Sequence, residues 1–173
     1  IREIANRTLE SGNRVAREFE IPIVKDRWQE VAISEDIDAV IIGTWPYLHC
    51  KATCMALEAG KHVLCEARMA MNRTEAETMQ QTALHYPDLV TQLVPSPFTL
   101  LVDNTVKNFI DRGKLGRLLY FHFDWQTLSL APIGPENFLN WRRNLKYSGV
   151  NTMVLGIAYE SILRWFGPAK WVT

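Results

Sequence analysis

Apolar and polar positions along the first 95 residues alternate between strand and helix patterns. Ile4-Ala5 ends a short strand, and Thr8 to Phe19 carries Leu9, Val15, Ala16 and Phe19 at helical spacing before the stop Ile21-Pro22. Ile23-Val24 is predicted as a short strand and Arg27 to Ile33 as a short helix. Residues 38–44 form a continuous apolar run, the pattern of a parallel strand buried on both faces. A helix is predicted over His49 to Ala59 and a strand over Lys61 to Cys65. A further helix over Arg73 to His85 and a strand over Leu89 to Val94 follow. Strands and helices joined by short links imply right-handed crossovers and a parallel sheet.

After Ser96-Pro97 the pattern changes. Leu101 to Asp111 is predicted as a helix ending at Gly113. From Leu118 to Gln126 the chain alternates, with Leu119, Phe121, Phe123 and Trp125 on one face, as in an open, mostly antiparallel sheet. A loop with Pro132, Gly134 and Pro135 leads to a helix over Asn151 to Phe166, closed by Gly167-Pro168, and Trp171 to Thr173 has strand character. The pattern gives two domains, 1–96 and 97–173. The fold class is α/β: a truncated Rossmann-type parallel sheet followed by the start of an α+β domain.

Composition narrows the function. Apolar residues make up 47% and charged residues 22%, which suits a globular core. Basic and acidic side chains balance at 19 each, so nothing draws the chain to nucleic acid or an anionic membrane. No apolar run is long enough to span a bilayer. Three cysteines are too few for a disulfide framework and point to a reducing cytoplasm. His49, Cys50 and Cys54 share a helix, but metal binding needs more ligands than these, and no metal site is expected.

The most informative stretch is Ala59-Gly60-Lys61-His62 followed by Val63-Leu64-Cys65-Glu66-Ala67-Arg68-Met69-Ala70-Met71-Asn72. It resembles the A-G-K-H-V-x-x-E-K-P-x-A-x-N signature of the glucose–fructose oxidoreductase and inositol dehydrogenase (Gfo/Idh/MocA) family. Ala67 stands where that family has its acid/base lysine, and Arg68 where it has proline. Thr44-Trp45-Pro46-Tyr47-Leu48-His49 resembles the family's T-P-P-x-x-H turn. The resemblance covers the whole chain but only about half of a family member. The sequence holds no G-x-G-x-x-G and opens inside a strand, so the first strand and its phosphate-binding turn are expected to be the missing piece.

The resemblance also implies site residues. An acidic group at the end of the family's second strand favours NAD; here Asn6 and Arg7 stand there. A guanidinium pairs well with a 2′-phosphate, so NADP is expected over NAD. Thr44 and Pro46 would border the nicotinamide ribose, Trp45 could cover the cofactor or simply pack, and His49 would stand at a helix start. Glu66 would remain beside the cofactor. Arg68 reads either as a clamp for substrate or as a structural arginine.

The family's D-x-G-x-H run corresponds to Val154 through Ala158, where only Gly156 is retained. Tyr159 and Glu160 are then the candidate catalytic groups. The expected activity is an NAD(P)-dependent oxidoreductase, moving hydride between nicotinamide and a sugar, cyclitol or related polyol, in a homo-oligomer. With the usual lysine, aspartate and histidine absent, the alternative is a non-catalytic cofactor- or ligand-binding protein on the same scaffold. Retention of Thr44, Pro46 and Glu66 favours the enzyme.

Overall fold

The computed structural model describes residues 1–95, 102–124, 141, 144–150 and 153–171, with the side chains of Met153 and Val154 left aside. Contacts divide the chain into two units. The first holds Ile1–Val94 and Asn140–Asn151, and the second holds Pro95–Leu139 and Thr152–Thr173. Residues 140–151 thus return to the first unit.

The first unit is mixed α/β with a Rossmann-type arrangement. Strand β1 (Glu3–Ile4) pairs in parallel with β2 (Ile23–Val24), across helix α1 (Leu9–Glu18). Thr8 caps α1 by accepting a hydrogen bond from the Ser11 backbone N–H at 3.2 Å. Helix α2 (Trp28–Ala32) leads to β3 (Ala39–Ile42), which joins β4 (His62–Cys65) and β5 (Thr91–Leu93) in a three-stranded parallel sheet of order β3-β4-β5.

Helices α3 (Pro46–Glu58) and α4 (Arg73–His85) make the crossovers and pack against each other. Proline at the first turn of α3 starts it three residues before the predicted His49, because that position needs no N–H. Asn72 caps α4 through the Glu75 backbone N–H at 3.0 Å. Val40, Ile42, Val63 and Cys65 point toward Ala52, Ala56 and Leu57 of α3 and Met79 of α4, and all of these are buried. The small Ala52 and Ala56 let the α3 backbone approach the sheet closely.

Two strand expectations need correction. Strand β3 is not buried on both faces: Val40 and Ile42 are covered, but Ile41 is 68% exposed. The run 38–44 reads as continuous because its outward face is apolar as well. Residues 118–124 form no strand. Their alternation is real, but a strand needs a neighbour to bond, and none pairs with them among the described residues. Trp125 and Gln126, the 132–135 loop and the last two residues lie outside the described set.

In the second unit, α5 (Asp103–Asp111) packs on α7 (Met153–Phe166). The Asp103 carboxylate accepts from the Trp165 indole N–H at 2.7 Å and pairs with Arg164 at 3.1 Å. Phe121 tilts onto Phe166 with ring centroids 4.7 Å apart and meets Trp165 edge-on. One apolar position of the alternating run is therefore used against a helix.

Leu57 is wholly buried at the centre of the first core. Leu57→Ala should lower the urea-unfolding free energy by about 2–5 kcal/mol. Leu84→Ala, at an exposed position of α4, should change it by less than about 0.5 kcal/mol.

Candidate functional site

Parallel strands deliver all their carboxyl ends to one edge of a sheet, and the turns there are where open α/β sheets hold ligands. Three such turns carry the expected cofactor residues. After β1 come Asn6 and Arg7. Asn6 donates its side-chain amide to the Ser11 hydroxyl at 3.1 Å, bracing the start of α1. Arg7 is exposed, and its guanidinium carbon lies 5.5 Å from the centroid of the Trp45 ring, a cation–π contact. The structure thus brings together the turns that follow β1 and β3.

After β3, Thr44, Trp45 and Pro46 lead into α3. Pro46 is fully buried, while Thr44 and Trp45 are half-buried. His49 sits one turn further and is only 1% exposed. Its Nδ1 lies 2.7 Å from the carbonyl oxygen of Arg68, and its Nε2 lies 2.9 Å from that of Thr44. Both edges of the ring face backbone, so His49 holds two turns in register and leaves no nitrogen for a ligand or a metal. No group of three or more metal-ligating side chains occurs among the described residues.

After β4, Glu66 is exposed and its carboxylate accepts from the Ala67 backbone N–H at 3.1 Å. Its own backbone N–H bonds Ile42 at 2.9 Å, continuing the β3–β4 ladder to the edge. Arg68, two residues on, reaches helix α6 (Leu145–Ser148) and the residues after it. One terminal nitrogen donates to the Val150 carbonyl and the other to the Ser148 hydroxyl, each at 2.6 Å. Burial lowers the pKa of the guanidinium from its ordinary value. Both terminal nitrogens are engaged by the chain itself.

Arg68 anchors α6 and the residues after it. Gly149 completes the anchor: with φ +57° it passes so near Met71 that a Cβ would stand 2.5 Å from that carbonyl oxygen. The anchored segment brings Trp141 and Tyr147 to Trp45. Trp141 stacks on Trp45 with centroids 5.7 Å apart and a 14° interplanar angle, and Tyr147 tilts against it at 4.9 Å. Sequence reasoning missed Trp141, Tyr147 and Ser148. Aromatic density just before Gly149 was the available signal, but their partners lie about 80 to 100 residues away and leave no local pattern.

Tyr159 and Glu160 lie on α7 in the second unit and have their partners there. The Tyr159 hydroxyl accepts from the Ala169 backbone N–H at 3.4 Å, and the side chain is 40% exposed. Glu160 pairs with Arg164, one turn along the helix, at 3.4 Å. A cavity of about 370 Å³ lies in the first unit between β4, β5 and α4, lined mainly by apolar side chains that include Cys65 and Met79. It opens on the core face of the sheet, and Met69 of the turn after β4 is part of its lining. No helix among the described residues is long and apolar enough to cross a membrane.

Residues 1–92 match the family described as oxidoreductase, NAD-binding Rossmann fold. An uncharacterised oxidoreductase of Synechocystis is 27% identical over 173 residues, covering 96% of this chain and 44% of that protein. Levoglucosan dehydrogenase of Pseudarthrobacter phenanthrenivorans is 29% identical over 147 residues, covering 84% and 37%. The solved structure of a levoglucosan dehydrogenase in complex with NADH and levoglucosan superposes with a TM-score of 0.73 at 24% identity, over 96% of this chain and 44% of that one. That likeness shows the fold. This chain spans less than half the length of these relatives.

The cysteines are free, and burial pushes Cys65 up to about 11 and Cys50 up to about 12. Cys65 should therefore resist iodoacetamide at pH 8 in the folded chain and react once urea unfolds it, as mass spectrometry of the labelled peptide will show. Folding favours the protonated thiol. Its contribution to stability is intact below the ordinary thiol pKa of about 8.5. It is lost as pH rises through about 11.

Proposed function

The chain belongs to the oxidoreductase family with an NAD-binding Rossmann fold, and from that premise we propose that it serves an NAD(P)-dependent oxidoreductase acting on a sugar, cyclitol or related polyol. The observation that carries the proposal is the convergence of Arg7, the Thr44–Pro46 turn and Glu66 at the carboxyl ends of parallel strands. The nicotinamide cofactor supplies and accepts the hydride. The chain's own groups bind, orient and exchange a proton.

In this proposal NADP is preferred to NAD because Arg7 is an exposed cation where an acidic residue would otherwise select a free ribose. To pair with a 2′-phosphate, the Arg7 guanidinium leaves the face of Trp45. Glu66, exposed at the end of β4, and the half-buried Thr44 line the same edge. Asn6 and His49 brace these turns from behind.

For the proton, Tyr159 is the better candidate of the two. Its oxygen accepts one backbone N–H, so its own proton remains available to a substrate carbonyl in the reducing direction. Glu160 is already paired with Arg164. The non-catalytic alternative draws on one specific observation: Ala67 supplies no amine, and the guanidinium beside it is committed to α6. A homo-oligomer remains part of the proposal, with the exposed Leu118, Leu119 and Tyr120 as its candidate surface.

Two measurements on the complete gene product test these roles. Arg7→Ala should weaken NADPH binding by about tenfold or more while leaving NADH binding nearly unchanged, since a charge-assisted pair contributes about 1.5–3 kcal/mol. Equal losses for the two cofactors would remove Arg7 from the 2′ position. Tyr159→Phe should reduce turnover by roughly 10²- to 10⁴-fold at nearly constant cofactor affinity. Cofactor binding without turnover on any polyol would favour the non-catalytic reading.

A further inference from the structure

Four aromatic side chains gather beside the carboxyl end of β3. Besides its contacts with Trp141 and Tyr147, Trp45 lies 6.5 Å from Tyr47, and Tyr47 lies 5.7 Å from Tyr147. Their interplanar angles of 54° to 60° are the tilted geometry of rings that pack edge to face. A cluster that only filled a core would be buried. Each of these four is half-exposed, while Pro46 and His49 beneath them are closed to solvent.

The cluster also carries polar tips. The indole N–H of Trp45 and the hydroxyls of Tyr47 and Tyr147 have no hydrogen-bond partner among the described residues. Flat apolar faces with hydrogen-bonding edges are complementary to a saturated ring with C–H groups on its faces and hydroxyls around its rim. Two features fix the cluster in place. Arg68 and Gly149 lock α6, which carries Tyr147, to the turn after β4. His49 holds that turn to the carbonyl of Thr44, the residue before Trp45. A wall positioned this way binds without first having to order itself.

We propose that Trp45, Tyr47 and Tyr147 form a stacking subsite for an uncharged cyclic polyol, with Trp141 backing Trp45. Arg68 is a positioning residue for this wall. The inference rests on the oxidoreductase reading for the reaction that follows binding, though not for the binding itself. A planar cofactor ring is the competing occupant, and the test separates the two.

The complete gene product is mixed with myo-inositol, and separately with 1,5-anhydro-D-glucitol, and followed by saturation-transfer NMR with and without NADPH. The ring C–H protons of both probes should receive saturation. Trp45→Leu and Tyr147→Leu should each weaken probe affinity by about two- to tenfold, the range of a single aromatic contact. Tyr147→Phe keeps the ring and should lose less. Saturating NADPH should leave the probes bound. Arg68→Ala should weaken both probes, and Arg68→Lys should restore part of the loss.

Unchanged affinity in folded Trp45→Leu and Tyr147→Leu variants would overturn the proposal, as would displacement of the probes by NADPH. If the probes bind but neither nicotinamide cofactor does, the subsite stands and the oxidoreductase reading fails. If a cofactor binds and neither probe does, the subsite fails and the cofactor reading stands.

Discussion

The imidazole of His49 is the constraint on which the strand-end edge of this chain depends. It lies in the interior, bracketed by one carbonyl from the turn after β3 and one from the turn after β4. Backbone carbonyls that leave a ladder inside a protein must find partners, and an unpaired one costs about 1–3 kcal/mol. His49 lies within hydrogen-bonding distance of both carbonyls and, with one N–H on its ring, serves one of them at a time. The distance between those turns is thereby set by the width of one aromatic ring. Pro46 determines where the ring stands, because it starts α3 early and places position 49 one turn inside the helix.

The departures from the family signature make sense against that constraint. Ala67 and Arg68 remove an amine from the edge and put a guanidinium behind it. The carbonyl of Arg68 belongs to the His49 bridge, and its side chain reaches Ser148 and Val150. One residue therefore connects the β4 turn to α6. The same link holds α6, and with it Tyr147, against Trp45.

Much of the fold was legible in the sequence, because parallel α/β units write their pattern locally. Helix α4 was readable at both ends, Arg73 and His85. The strand ending at Cys65 and the exposed Glu66 after it followed from one contiguous motif. The long-range geometry was not legible. Arg68 and Ser148 are 80 positions apart, and no single sequence records that they meet. His49 was expected at the start of a helix and lies one turn inside α3, and nothing local shows that both its nitrogens face carbonyls. The alternation over 118–124 gave the wrong element, since periodicity reports which side chains share a side and not whether a neighbouring strand exists.

The contacts at the strand-end edge form a closed circuit. Thr44 leads through His49 to Arg68, on to Ser148, to its neighbour Tyr147, across to Trp45, and by one peptide bond back to Thr44. Closed circuits do not fail link by link. Cutting one link frees the residues on either side, so a second cut then removes less than it would have removed alone. Energetic effects around the circuit should therefore be less than additive, even between residues that never touch.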